Sequence, residues 1–87
     1  MSVQIYAGNL SYKMTDDSLQ QVFTEFGEVV SAKIIKDRDS GRSKGFGFVE
    51  MANEDEAQAA IEKLNGAEIE GRNIKVNKAK PRTDRNS

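Results

Sequence analysis

The apolar residues change period along this chain, and the order of the changes restricts the fold more than any single motif does. In "VQIYA", Val3, Ile5 and Ala7 alternate with Gln4 and Tyr6, the period of two that belongs to a strand. Leu19, Val22, Phe23 and Phe26 then recur at i, i+3, i+4 and i+7, one face of a helix. Thr15 stands where an N-cap is needed, Asp16 and Asp17 suit the positive end of the helix dipole, and Gly27 is a stop. "VVSAKIIKD" predicts a second strand with Val30, Ala32 and Ile34 on one face and Lys33 and Ile35 on the other. "DRDSGRS" is a polar hairpin loop, and its low apolar content predicts mobility. "KGFGFVEM", residues 44–51, is the third strand. Asn53 caps a second helix, with Glu54, Asp55 and Glu56 in the first turn and Ala57, Ala60, Ile61 and Leu64 as its apolar stripe. Asn65-Gly66 ends it. A turn at Glu70-Gly71 leads to a last strand over residues 73–77, with Ile74 and Val76 facing one way and Lys75 and Asn77 the other.

The order strand, helix, strand, strand, helix, strand is the α+β, ferredoxin-like βαββαβ arrangement. Right-handed crossovers place both helices on one face of a four-stranded antiparallel sheet. That face carries Ile5, Ala7, Ala32, Ile34, Val49, Met51, Ile74 and Val76. The other face stays open. Tyr6, Phe46 and Phe48 stand on it, with Lys33, Lys44 and Lys75 around them. The first and third strands pair at the centre of this fold, so the three rings form one cluster. Gly45 and Gly47 fall on the covered face, where a missing side chain permits close packing or a bulge.

A chain of 87 residues, 37% apolar and 31% charged, makes one small domain. The folded unit is expected over residues 1–79, with a basic polar tail over 80–87. Cysteine and histidine are both absent, which removes disulfides, Cys/His zinc sites and the Ser-His and Cys-His nucleophile pairs. Neither enzyme, metal nor cofactor is expected. No apolar run approaches the length of a membrane helix, and the N-terminus lacks the pattern of a signal peptide, so a cytoplasmic protein without a membrane partner is expected. The net charge of −1 argues against nucleic acid at first sight, but the charge is segregated. Acids concentrate in the two helical segments. Bases concentrate in the strands, the hairpin loop and the tail, and the local field decides what binds.

Two motifs carry a family resemblance. "KGFGFVEM" matches the pattern Lys/Arg-Gly-Phe/Tyr-Gly/Ala-Phe/Tyr-aliphatic-any-Phe/Tyr at seven positions, with Met51 at the eighth. "IYAGNL", residues 5–10, matches aliphatic-aromatic-aliphatic-any-Asn-Leu. Both motifs, on the strands expected of them, resemble the RNA recognition motif family. The small size and the ending "VNKAKPRTDR" are most similar to short bacterial RNA-binding proteins, known best from cyanobacteria, here without a glycine-rich tail. Met51 and Ala7 fall on the core face and alter packing alone. The resemblance implies that Tyr6 and Phe48 each stack a base and that Phe46 packs against the sugars between them.

The expected partner is single-stranded RNA, with single-stranded DNA left open, bound by a monomer. Lys44 suits a phosphate. Lys33, Lys75 and Asn77 face the same way, and Asn77 offers donor and acceptor to a base edge. Arg38 and Arg42 lie on the hairpin loop. Lys78, Lys80, Arg82 and Arg85 are expected to reach phosphates as the chain leaves the last strand. Two other readings compete: a protein-interaction module using the same fold, in which the sheet aromatics are usually lost, and an acylphosphatase-like enzyme. No phosphate-cradling loop follows the first strand, where "AGNLSYKM" stands.

Overall fold

The computed structural model describes residues 2–79. β1 (Val3–Gly8), α1 (Asp16–Thr24), β2 (Val29–Lys36), β3 (Ser43–Met51) and α2 (Glu54–Leu64) follow the expected order. Three shorter strands follow among the described residues: β4 (Glu68–Ile69), β5 (Arg72–Asn73) and β6 (Lys75–Lys78). The main sheet runs β2-β3-β1-β6, every neighbour antiparallel. α1 packs against β2 and β3, and α2 against β6, β1 and β3.

Each helix begins where its sequence provides a cap. The Thr15 hydroxyl accepts from the Ser18 amide at 3.2 Å, and the Asn53 side chain accepts from the Glu56 amide at 3.1 Å. Both supply a partner for a backbone donor that the helix itself cannot satisfy. Asp16 has a second role. Its Oδ1 accepts from the Ile34 amide at 2.7 Å, which occupies a donor on the outer strand of the sheet. Such edge donors otherwise invite pairing with another chain.

The core lies between the helices and one face of the sheet. Ile5, Ala7, Ile34, Val49, Met51, Ile74 and Val76 from the strand segments meet Leu19, Phe23, Ala57, Ala60 and Leu64 from the helices. Among the described residues no polar or charged side chain is buried. Burying a Val, Leu, Ile, Phe or Met side chain contributes about 1.5–3 kcal/mol, so this face supplies the stability. Gly47 explains the tight fit of β2 on β3: a Cβ there would overlap the Lys33 carbonyl oxygen and lie 3.2 Å from Leu19 Cδ2.

Two local expectations need correction. Val30 does not share the core face with Ala32 and Ile34. Val29 opposes Met51 and Ser31 opposes Glu50, so Val30 is an extra residue at a bulge, 53% exposed. One inserted residue turns the following side chains over. The last strand is not continuous over 73–77. Glu68–Ile69 and Arg72–Asn73 pair as a small hairpin, and Glu70 and Gly71 both have positive φ (53° and 81°), as a two-residue hairpin turn requires. β6 starts afresh at Lys75. The β2–β3 connection carries hydrogen bonds of its own. The Asp37 amide donates to the Arg42 carbonyl at 2.7 Å, Gly41 to the Asp37 carbonyl at 2.8 Å, and Asp39 to Asp37 Oδ1 at 2.8 Å.

Candidate nucleic-acid interface

Register across the sheet builds the open face. Lys33 opposes Phe48, Phe48 opposes Tyr6, and Tyr6 opposes Asn77. One row therefore crosses all four strands: cation, ring, ring, amide. The next row holds Phe46, Gly8 and Lys75. The row on the other side holds Ser31, Glu50 and Gln4. Residues directly opposite one another share a face, so Lys33, Lys75 and Asn77 stand beside the rings as expected.

The three rings touch. Tyr6 and Phe48 centroids are 5.9 Å apart, Tyr6 and Phe46 6.0 Å, and Phe46 and Phe48 6.2 Å. The two pairs that include Phe48 meet edge to face, at 64° and 88°. These separations lie within the range of favourable aromatic pairs, so the rings hold one another in place. Phe48 is 39% exposed, and Tyr6 and Phe46 are half-buried, each in contact with the other two rings.

Gly8 is a supporting residue that the sequence reading passed over. A Cβ on Gly8 would overlap the Tyr6 hydroxyl and ring. The Tyr6 ring lies over this glycine and reaches toward Phe46, which opposes Gly8 on β3. The signal was present in the sequence, because Gly8 is two residues beyond Tyr6 and shares its face.

The hairpin end of the sheet differs from a plain continuation. Between the pairs Ile34–Gly47 and Lys36–Ser43, β2 has one residue and β3 has three. Gly45 accommodates this excess with φ at +86°. Lys44 consequently does not continue the row of rings. It lines a cleft beyond Phe46, together with Lys36 and Arg42. Arg38 is exposed in the hairpin turn and lies outside that lining.

Lys78 is a correction. Its register partner is Ile5, a core residue, so it points to the helix side of the sheet. Its ammonium lies 3.5 Å from Glu54 Oε2 at the start of α2. The expected phosphate contact from the open face does not fit this placement. Lys80, Arg82 and Arg85 lie outside the described residues.

Asn9 fixes the loop after β1. Its φ is 56°, its Nδ2 donates to the Asn73 carbonyl at 2.7 Å, and its Oδ1 accepts from Arg72 Nη2 at 2.9 Å. The carboxylates of the two helices occupy the opposite side of the molecule. Asp16, Asp17, Glu54 and Asp55 lie in the first helical turns, away from the rings.

Residues 5–75 match the model of the RNA recognition motif. The chain belongs to the RNA recognition motif family. RbpA of Nostoc sp. (strain PCC 7120), provisionally named an RNA-binding protein, is 57% identical over 83 residues, covering 95% of this chain and 81% of RbpA. This agrees with the expected similarity to short cyanobacterial proteins. The crystal structure of RNA Binding Protein PG1 superposes with a TM-score of 0.89 at 44% identity, covering 94% of this chain and 99% of that one. The Sxl-Lethal protein/RNA complex superposes with a TM-score of 0.86 at 30% identity, covering 97% of this chain and 50% of that one. Both likenesses fit the ferredoxin-like βαββαβ arrangement.

Proposed function

We propose that this protein binds single-stranded RNA across the uncovered face of its sheet, a few nucleotides per domain. The carrying observation is the row Lys33, Phe48, Tyr6, Asn77 with Phe46 packed beside it. Touching rings on a face that neither described helix covers are costly to leave in water and suit unpaired bases. One base stacks on Tyr6 and one on Phe48, each stack contributing about 1–3 kcal/mol. Phe46 packs against the sugars between them. Lys33 and Lys75 neutralise phosphates, and Asn77 hydrogen-bonds a base edge. Arg38, Arg42 and Lys44 hold the strand at the hairpin end, and Lys80 adds a positive charge for a phosphate. Stacking accepts every base, so sequence preference is broad. Membership of the RNA recognition motif family and the RNA complex among its structural neighbours support this reading.

The unit that binds is residues 1–79, acting as a monomer without a cofactor, and the basic segment 80–87 adds charge. The test is a titration of the full chain with a short single-stranded RNA, with the matched DNA as competitor, at several salt concentrations. The expected result is saturable binding whose log affinity falls linearly with log salt, because each phosphate neutralised by a lysine or arginine releases its counterion. RNA that fails to bind at low salt, or binds with no salt dependence, overturns the proposal. A DNA competitor that displaces RNA at equal concentration shows that no 2′-hydroxyl contact discriminates.

A further inference from the structure

A cleft of about 1050 Å³ opens beyond Phe46, between the β1–α1 connection and the β2–β3 hairpin. Tyr12 and Lys13 form one wall, Lys36 and Arg42 the other, and Lys44 and Phe46 stand where it meets the sheet. Asp37 is the one acid in the lining. Among the described residues none of these four bases has a carboxylate partner, since the ion pair that is present joins Lys78 to Glu54. The cleft is therefore positive in a protein whose net charge is negative.

Tyr12 is its unusual feature. The ring is 67% exposed, more than Phe48 on the sheet. An aromatic ring in a connecting loop normally buries itself or moves freely, but this one is braced. The Arg72 guanidinium carbon lies 5.8 Å from the ring centroid, within cation–π range. Arg72 is itself held by Asn9, which also grips the Asn73 carbonyl. The ring edge passes Gly45, where even a Cβ would come within 3.4 Å of Tyr12 Cε1. A fixed, solvent-facing ring among unpaired cations has the parts of a nucleotide site: a surface for a base and charges for its phosphate.

We propose that this cleft holds one further nucleotide of the RNA strand that crosses the sheet, its base stacked on Tyr12 and its phosphate held by Lys44, Arg42 and Lys36. Phe46 makes the two sites continuous, since it belongs both to the sheet cluster and to the cleft lining. The inference rests on the RNA-binding reading above and extends its path off the sheet.

The test compares a trinucleotide and a hexanucleotide of uridine, titrated against the full parent chain and against Tyr12→Ala, Tyr12→Phe and Phe48→Ala. Because Tyr12 is exposed, Tyr12→Ala remains folded, which a melting curve verifies. The expected result is that Tyr12→Ala binds the trinucleotide like the parent and the hexanucleotide about tenfold more weakly. Tyr12→Phe keeps both affinities. A 2-aminopurine moved along the hexanucleotide shows one position whose fluorescence is quenched in the parent and in Tyr12→Phe but not in Tyr12→Ala. Equal weakening of both lengths means that Tyr12 acts by bracing Arg72, and overturns the proposal. So does a Tyr12→Ala protein that binds the hexanucleotide as tightly as the parent. If Phe48→Ala still loses affinity in that case, the sheet reading survives alone. A parent chain that binds neither RNA overturns both.

Discussion

Phe48 and Val49 are consecutive residues of β3, yet they belong to different parts of the molecule. Val49 is 1% exposed beneath the helices, and Phe48 is 39% exposed on the open face. Their backbones sit in the same ladder, with Phe48 between Tyr6 and Lys33 and Val49 between Ile5 and Ala32. What differs is what covers the side chain. The helix-covered face is apolar except for Lys78 at its edge, and it supplies stability. The open face mixes rings with cations and amides and adds less to it. A strand's period of two thus separates folding from binding within a single segment.

The contrast between faces breaks most clearly at the largest core ring. Phe23 is fully buried, so Phe23→Ala is expected to cost about 3–5 kcal/mol. In a domain of this size that lowers Tm by more than about 12 °C. Any fraction still folded should bind RNA with the parent's affinity. A Phe23→Ala protein with an unchanged Tm would mean that the core is elsewhere.

The adjacent pair comes next. Val49→Ala should lose about 1–3 kcal/mol of stability and keep its affinity. Phe48→Ala should weaken RNA binding by about tenfold, with a Tm shift of only a few degrees. Thermal melts and titrations on the two variants together test the assignment of faces. An unfolded Phe48→Ala protein, or one that binds RNA like the parent, removes the distinction between them.

A smaller effect is expected at Gly8. An alanine there must displace the Tyr6 ring, because its Cβ would stand where the ring now lies. The displaced ring leaves Phe46, and affinity should fall by roughly severalfold, a part of one stacking interaction. Ring-current shifts on Phe46 protons report the movement directly. Unchanged shifts with unchanged affinity would show that the ring does not need the glycine.

The smallest effects separate two lysines of β6. Lys75 opposes Gly8 on the open face, and Lys78 opposes Ile5 on the helix side. Lys75→Gln should weaken RNA binding and flatten its dependence on salt by about 0.7 in the log–log slope, one phosphate contact. Lys78→Gln should leave the slope alone and cost at most about 1 kcal/mol of stability, since its pair with Glu54 is exposed. If both lysines change the slope equally, the register of β6 does not decide their roles.

Most of this arrangement was legible from local pattern. Helix starts follow from Thr15 and Asn53, because an N-cap needs only its own side chain and the amides of the next turn. The ring cluster follows from Tyr6, Phe46 and Phe48 once two motifs are placed on neighbouring strands. The alternation of β1 and β6 predicts the faces of Ile5, Ala7, Val76, Lys75 and Asn77 without reference to any partner.

The tertiary structure decided the rest, wherever the outcome depends on register or on residues far apart in sequence. Val30 looks like a core residue by alternation, and only its pairing with β3 reveals the bulge that turns it outward. Lys78 looks like part of a basic tail, yet the ladder continues through it and directs it toward Glu54, 24 residues away in sequence. Tyr12, Asn9 and Arg72 form one brace only because the β4–β5 hairpin returns to the loop after β1, across a separation of 63 residues. A strand or helix records its own period in its sequence. The meeting of two distant segments is recorded in neither one, because it is fixed by how every other element packs.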